Sequence, residues 1–452
     1  MNYTKALLAL LLAILLCASL VSCKKDPAEA PPQDAGSSPT ESDTTPGGTG
    51  DTPPAEQPPA TVTALPNTAG GKSYKSVYDA FNNTNMLYWD SLTEADAKAY
   101  GDTVAALGYT LVSTTDNASL WAATYQKDGS VAHVYFLKKL GELRALDSIG
   151  AALPTDTSRN EKICKAQITQ LGSVESIGHV IRLEDGSFVI VDGGGDNSYD
   201  AAAVYNRLCE LNALTGADKL VIRAWFITHS DKAHYGVLAQ FLDKYDTDVK
   251  IDVIVANDPT DAIYRAMGSI PNGLSYSSME EFFGGCTFIK AHTGYQFRFA
   301  GLTMNILYTH EDANELQTTS LDSRISMVFD AVAGDTRLLW LGDLETDGAA
   351  RLAAMYGTDL ACDILQVSSG ENSGSEELYR LCAPSTVLWT GSADEVNAVK
   401  ALPKNAYLTE TASNVYYAYN GSKVIVFESY SGGSTGTGGG SVDEDGSYSK
   451  DY

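Results

Sequence analysis

Short apolar runs alternate with amphipathic helical segments through most of the chain. Leu220–Ile227 and Lys250–Ala256 are apolar and rich in β-branched residues, which is typical of strands buried on both faces. The spacing of apolar positions in Ala201–Leu214 predicts a helix. A hairpin is expected around Glu184-Asp185-Gly186. Because both helices and hairpins join the strands, the pattern predicts an α/β protein with mixed sheets.

The same alternation continues toward the C-terminus and defines a large domain over residues 160–430. Its further strands are expected at Tyr295–Ala300, Leu302–Leu307, Ile325–Ala331, Thr336–Leu341, Asp363–Val367 and Thr386–Trp389, and its further helices at Asp347–Tyr356 and Ser375–Leu381.

Residues 71–155 have a different pattern, which predicts a small α+β domain in front of the large one. Leu92–Leu107 has helical spacing and ends before Gly108, which we expect to be the C-cap. His133 has apolar neighbours within one of the strand-like runs, so we expect it to be structural. Four such runs are present, namely Tyr109–Ser113, Ser119–Gln126, Ser130–Leu137 and Glu142–Ser148.

The first 23 residues have the features of a secretory signal peptide. Lys5 precedes the apolar run Ala6–Leu16, which is too short to favour a transmembrane anchor. Leu20-Val21-Ser22-Cys23 resembles the bacterial lipobox, and the resemblance implies that Cys23 is lipidated and becomes the mature N-terminus. We therefore expect a lipid-anchored protein on the extracytoplasmic face of the cell membrane.

Composition limits what the rest of the chain can do. Residues 24–70 are rich in Pro, Thr, Gly and Ser and are expected to form a disordered tether, and residues 431–452 a disordered tail. The net charge of -26 repels a phosphate backbone and argues against nucleic acid as a partner. Beyond the signal segment the cysteines are odd in number and lack a CxxC motif, which argues against a disulfide framework or a cysteine zinc cage.

The polar motif Thr228-His229-Ser230-Asp231-Lys232-Ala233-His234 directly follows the Leu220–Ile227 run. Imidazole and carboxylate groups are common ligands of hydrolytic metal ions. The end of a buried strand is also where α/β sheets usually place their chemistry. Asp343 follows a second apolar run in the same way, although such an aspartate taken alone is more often a helix cap.

The order of these motifs resembles the metallo-β-lactamase fold superfamily, and its competence-type (ComEC-like) hydrolase branch in particular. The resemblance covers roughly residues 160–430. Its motifs in this chain are Ile190-Val191-Asp192-Gly193-Gly194, Thr228-His229-Ser230-Asp231-Lys232-Ala233-His234-Tyr235-Gly236 and Leu341-Gly342-Asp343-Leu344-Glu345.

The resemblance implies an αββα sandwich with zinc at one edge, between its two sheets. His229 and Asp231 would be ligands of a first metal site, His234 a ligand of a second, and Asp343 the bridge between them. Asp231 is the candidate catalytic residue. In active members of the superfamily the metals generate a hydroxide and polarise the scissile group.

Two departures from the family pattern predict a depleted metal site. Ala233 stands where a second-site aspartate is expected, and Ser368-Ser369-Gly370-Glu371 replaces a late His-His-Gly. His292 and His310 lie in the interval of a further histidine ligand, but neither has a diagnostic context. We therefore expect one weakly bound zinc ion rather than an ordinary two-metal site.

Three functional hypotheses follow from the depleted site. The protein is a weak mononuclear hydrolase, or a catalytically inactive binding or interaction module on the cell surface. In the third hypothesis residues 71–155 perform recognition and the large domain is their scaffold. The sequence does not identify a substrate or ligand.

Overall fold

The computed structural model describes residues 65–79, 84–149, 163–171, 178–195, 197–215, 219–229, 231–245, 247–257, 286–313, 326–368, 374–389, 414–417, 423–427, 440–442 and 447–450. The expected signal peptide with Cys23, most of the expected tether and Ser369 lie outside these residues. Among the described residues, none of the helices combines the length and the apolar character that crossing a bilayer requires.

The N-terminal part forms a two-stranded hairpin and a six-stranded antiparallel sheet. All four strands expected there are present with small shifts at their ends, and additional strands precede them. The hairpin consists of β1 (Thr68–Ala69) and β2 (Lys72–Ser73), and the sheet of β3 (Lys75–Asp79), β4 (Thr84–Trp89), β5 (Thr110–Asp116), β6 (Leu120–Lys127), β7 (Ser130–Leu137) and β8 (Glu142–Ile149), in the order β3-β4-β8-β7-β6-β5.

Helix α1 (Glu94–Ala106) covers one face of this sheet. The Thr93 hydroxyl accepts a hydrogen bond from the Asp96 amide at 3.2 Å, and the Asp96 carboxylate accepts from the Thr93 amide at 2.9 Å. This capping box satisfies amides that the first helical turn leaves without partners. Gly108 follows the helix with φ +90°, in agreement with the predicted C-cap region.

A ten-stranded sheet forms the first layer of the large domain. Four of its strands, β11, β12, β14 and β15, run parallel to one another and so end at the same edge. The first seven strands of this sheet are β9 (Ala166–Gln170), β10 (Gly178–Arg182), β11 (Phe188–Asp192), β12 (Leu220–Phe226), β13 (Val249–Ile251), β14 (Val253–Ala256) and β15 (Thr287–Lys290).

A seven-stranded sheet forms the second layer, in strictly sequential order. It consists of β16 (Gln296–Phe299), β17 (Leu302–Tyr308), β18 (Val328–Ala333), β19 (Thr336–Trp340), β20 (Ile364–Gln366), β21 (Thr386–Trp389) and β22 (Asn414–Tyr417). The chain then returns to the ten-stranded sheet with β23 (Lys423–Phe427), β24 (Gly440–Val442) and β25 (Ser447–Lys450), which completes the order β15-β14-β12-β11-β10-β9-β23-β25-β24, with β13 beside β12.

Three buried apolar cores show how these layers stack. The inner core lies between the two large sheets and includes Phe226 and Trp340. The outer face of the ten-stranded sheet packs against two helices, and the outer face of the seven-stranded sheet against two others. These helices are α2 (Ser198–Thr215) and α3 (Lys232–Tyr245) on the first side, and α4 (Thr346–Tyr356) and α5 (Glu376–Cys382) on the second. The layering confirms the predicted αββα sandwich.

The six-stranded sheet shares the second outer core with α4 and α5, where Leu120 and Tyr135 are buried. Polar contacts also join it to the sandwich. The Tyr135 hydroxyl donates to the Asp312 carboxylate at 3.1 Å, and His133 Nε2 contacts the carbonyl oxygen of Thr293 at 2.9 Å. His133 therefore has a structural setting, and the small sheet packs directly on the large domain.

The two large sheets meet at the edge where the parallel strands end. The amide of Met327, just before β18, donates to the carbonyl oxygen of Thr228, just after β12, at 2.7 Å. This contact brings the loops that carry the predicted site residues to the same end of the sandwich.

Candidate metal centre

Three of the predicted ligands form a cluster at this edge, in which both histidines are buried and Asp343 is half-buried. His229 follows β12, His234 lies in the first turn of α3, and Asp343 follows β19. Asp343 Oδ2 lies 3.6 Å from His229 Nε2 and 3.3 Å from His234 Nε2. One ligand atom from each residue lies within 4.8 Å of the others. The fold thus unites residues that are distant in the sequence.

Asp231 lies outside this cluster. Its side chain is exposed, and its Oδ1 accepts a hydrogen bond from the Ala233 amide at 2.8 Å. Its backbone carbonyl accepts from the amide of His234 at 2.9 Å. In this position Asp231 caps the start of α3, while its ligand and catalytic roles stay predictions.

Asp192 positions the His234 ring through its Nδ1 atom. Asp192 is buried at the end of β11, with its Oδ2 3.0 Å from His234 Nδ1. The amide and the hydroxyl of Thr228 each donate to the same carboxylate at 2.8 Å. A carboxylate that accepts from one ring nitrogen fixes the imidazole so that the other nitrogen faces outward. Here that other nitrogen, Nε2, faces Asp343.

Ser326 links His229 to the turn that carries Asp343. Its hydroxyl lies 3.3 Å from His229 Nδ1 and accepts from the Asp343 amide at 2.9 Å. Gly342 has φ +57°, and a Cβ there would lie 2.9 Å from Ser326 Oγ. The Gln366 side-chain oxygen accepts from the Gly342 amide at 2.8 Å. The turn is therefore held on two sides and requires glycine at its centre.

The charges of the cluster favour one cation. Burial alone would lower the pKa of His234, but the carboxylates Asp343 and Asp192 outweigh burial and raise this pKa to about 10. Burial and the charge of His234 lower the pKa of His229. Burial opposes ionisation of Asp343, yet the two histidines hold its pKa below the ordinary value. The pocket thus stabilises one positive charge next to an ionised carboxylate.

The donor set fits a metal ion. Asp343 Oδ1 is buried and has no hydrogen-bond partner among the described residues. Leaving a carboxylate oxygen buried without a partner is costly, and a metal ligand bond would remove that cost. Two imidazoles and one carboxylate are a common set for zinc, and for non-haem iron with open coordination positions.

The other histidines considered as ligands from the sequence, His292 and His310, lie outside the cluster of His229, His234 and Asp343. His292 Nδ1 contacts the carboxylate of Glu311 at 2.8 Å, and the His292 ring stacks on His133 with centroids 5.5 Å apart. In the described part of the chain, neither His292 nor His310 belongs to the ligand cluster. Ser368 donates to the Leu344 carbonyl at 2.6 Å and so has a structural partner.

Sequence reasoning missed the supporting roles of Asp192 and Ser326. Asp192 was visible as part of the Asp-Gly-Gly motif, but its contact with His234 requires β11 and β12 to pair. Ser326 has no local signal, because its contacts depend on how the two sheets meet.

The comparisons with known proteins give partial similarity. No protein-family model matches the chain. Competence protein ComA of Neisseria gonorrhoeae is 30% identical over 141 residues, which are 31% of this chain and 19% of that protein. The chain therefore spans less than a fifth of the length of the curated relative that it matches.

Solved structures of metallo-β-lactamase-fold and metal-binding proteins show low-level similarity. The metallo-β-lactamase fold protein YhfI from Bacillus subtilis is 11% identical, with a TM-score of 0.37 over 58% of this chain and 99% of its own. Zn(2+)-bound PqqB from Methylobacterium extorquens is 11% identical, with a TM-score of 0.34 over 57% and 99%. CmlA, a diiron β-hydroxylase from Streptomyces venezuelae, is 11% identical, with a TM-score of 0.38 over 58% and 54%.

Proposed function

We propose that this protein is a membrane-anchored, extracytoplasmic metallo-β-lactamase-fold protein that binds one zinc ion and is at most a weak hydrolase. The observation that carries the proposal is the cluster of His229, His234 and Asp343, with its buried Asp343 oxygen that lacks a partner among the described residues. The substrate is not identified.

The metal ion and the residues around the cluster have different proposed roles. A bound zinc ion would lower the pKa of a water ligand and polarise the scissile group of a substrate. Asp192 and Ser326 orient the two histidines. Asp231 is the candidate general base, because it is an exposed carboxylate at the start of α3 whose charge acts on His229.

The two departures from the family motifs are the reason for proposing low activity. Ala233 offers no ligand atom beside His234, and among the described residues no other group brings three ligand atoms equally close. A single zinc with three protein ligands can be catalytic when a coordination position stays open to water. A second metal ion would lack an adequate set of ligands.

Metal content tests the proposal most directly. The protein would be loaded with zinc, iron(II) or manganese(II), dialysed, and measured by elemental mass spectrometry. We expect at most one equivalent of metal, with zinc preferred, and a loss of binding in His234→Ala. Asp335→Asn is the matched control, because Asp335 is exposed at the opposite end of β19. Two tightly bound zinc ions, with turnover abolished by His229→Ala, would overturn the mononuclear proposal.

A catalytically inactive surface module is the second candidate function. The observation in its favour is the loss of two family motifs in one chain, at Ala233 and at Ser368-Ser369. Phosphodiester, lactam and thioester probes distinguish the two candidates. Metal-dependent turnover that disappears in Asp231→Asn supports the hydrolase, and its absence in zinc-loaded protein supports the module.

The proposed membrane anchor rests on the sequence alone. Lipidation of Cys23 would attach the protein through residues 24–70 as a tether. One acyl chain binds a membrane only marginally, so we expect at least two. Cys23→Ser should release the protein or block its processing. Unchanged processing and membrane retention in that variant would refute the anchor.

A further inference from the structure

Two cysteines meet in the core outside the seven-stranded sheet. Cys362 lies just before β20, and Cys382 is the last residue of α5. The Cys362 amide donates to the Cys382 carbonyl at 2.9 Å. Both side chains are buried in the same apolar core. The backbone hydrogen bond and the shared core thus bring the two cysteines next to each other.

We propose that Cys362 and Cys382 form a disulfide when the protein folds under oxidising conditions. The cross-link would tie the start of β20 to the end of α5. It goes beyond the proposed metal function, and it rests on the proposed extracytoplasmic location only for where it would form in the cell.

The chemistry requires a disulfide as the oxidant. The thiolate of one cysteine attacks a small-molecule or protein disulfide, which forms a mixed disulfide and releases one donor thiol. The second cysteine then attacks the mixed disulfide and releases the other donor thiol. Two cysteine thiols are oxidised to one disulfide, the donor disulfide is reduced to two thiols, and the cysteine protons end on the donor sulfurs.

Burial determines when this exchange happens. Burial and the contact with Cys382 raise the pKa of the Cys362 thiol well above its ordinary value. Because the thiolate is the reactive form, the closed core disfavours exchange. The cross-link should therefore form during folding, before α5 packs against β20.

The cross-link would stabilise β20, which supports one side of the metal cluster. Gln366 at the end of β20 accepts hydrogen bonds from the Leu341 and Gly342 amides at 2.9 and 2.8 Å. A disulfide that closes a loop of about 20 residues reduces the entropy of the unfolded chain. We expect the oxidised protein to melt a few degrees above the reduced protein.

Refolding in a glutathione redox buffer tests the pairing without reference to cellular location. The full chain would be unfolded under reducing conditions, refolded with oxidised and reduced glutathione, and then alkylated in denaturant without reductant. Peptide mass spectrometry should find Cys362 and Cys382 in one disulfide-linked pair, with Cys164 and Cys286 alkylated. Both members of the pair alkylated in protein that has refolded would overturn the proposal.

Single variants separate the cross-link from packing. In Cys382→Ala the core loses a thiol, and the Tm difference between oxidised and reduced samples should be smaller than in the wild type. The disulfide of Cys209 contributes to that difference in both proteins. Cys286→Ala is the matched control and should keep the Tm difference of the wild type. If Cys382→Ala shows the same Tm difference as the wild type, another cysteine pair is responsible and the proposal fails.

Discussion

Asp192 contacts Nδ1 of His234 and so determines which ring nitrogen of that histidine faces the cluster. The aspartate is buried and accepts from the backbone and hydroxyl of Thr228, so it is held in place before any metal binds. Its carboxylate is also one of the two that raise the pKa of His234 to about 10. A metal ion that binds His234 must displace the proton that the ring holds below this pKa. Asp192 therefore affects metal binding both by orienting the ring and through its charge.

Asp192→Asn should weaken zinc binding about 10- to 100-fold, the usual effect of losing the carboxylate behind a metal-ligating histidine. The amide has a similar shape but lacks the charge. The affinity would be measured by competition with a chromophoric chelator, after circular dichroism has verified the fold. Asp335→Asn should bind zinc as the wild type does, and an equal affinity in Asp192→Asn would contradict the positioning role.

Ser326 is the corresponding support for His229. Ser326→Ala removes the acceptor of the Asp343 amide and the contact with His229 Nδ1. We expect about tenfold weaker zinc binding and little loss of stability, since a single hydrogen bond contributes about 1 kcal/mol. Ser326→Cys, which keeps a weak donor and acceptor, should lie between alanine and serine. A zinc affinity insensitive to both changes would show that the turn holds Asp343 without Ser326.

At the scale of elements, the hydrophobic pattern predicted strands that are buried on both faces. Leu220–Ile227 corresponds to β12 because each of its faces packs against an apolar core. β3 and β4 were missed, since each is short and mixes polar with apolar residues. The site turn was predictable only as a strand followed by Gly-Asp. The hydrogen bonds from this turn to Ser326 and Gln366 form only because β18, β19 and β20 pair in one sheet. No local sequence pattern encodes that pairing.

Gly342 and Gly334 make a matched pair at the two ends of β19. Both have positive φ, +57° and +58° respectively, but only the Gly342 turn carries a ligand. Gly342→Ala would place a Cβ 2.9 Å from Ser326 Oγ and 3.1 Å from Thr228 Cβ. The turn must then shift, and zinc affinity should fall by more than about tenfold.

Gly334→Ala should cost about 1 kcal/mol of stability from its left-handed backbone and leave zinc affinity unchanged. Isothermal titration with zinc and denaturant unfolding of both variants would separate the two effects. Equal zinc affinities in the two variants would show that backbone conformation at Gly342 does not position Asp343.

At the scale of the whole molecule, the six-stranded sheet is bound to the sandwich by a buried ionic network. Glu142 of β8 pairs with Arg351 of α4, where Arg351 Nη1 lies 3.1 Å from Glu142 Oε1. Arg144 contacts the same carboxylate at 3.3 Å and donates to the Glu311 carbonyl. The pattern of apolar and polar residues in residues 71–155 predicted an α+β unit. It gave no indication of this network, because the partners are far apart in the chain.

Glu142 is the anion that both arginines share, so its removal should be costly. Burial alone would raise the pKa of Glu142, but hydrogen bonds and charges from Arg351 and Arg144 hold it below the ordinary value. Glu142→Ala leaves two buried guanidinium groups without their carboxylate and should lower the free energy of unfolding by about 3 kcal/mol. Glu142→Gln should cost less, because the amide oxygen still accepts a hydrogen bond.

The sign of the pH dependence follows from the lowered pKa. A carboxyl with a depressed pKa in the folded state stabilises fully above its unfolded pKa, about 4.3, and loses this contribution as pH falls through the folded value. The difference between wild type and Glu142→Gln in urea unfolding should therefore be constant above about pH 5 and shrink on acidification. Lys98→Ala, which removes exposed ion pairs with Glu94 and Asp116, is the control and should change stability little. A difference that grows below pH 4 would mean that the Glu142 carboxylate does not stabilise the junction between the small sheet and the sandwich.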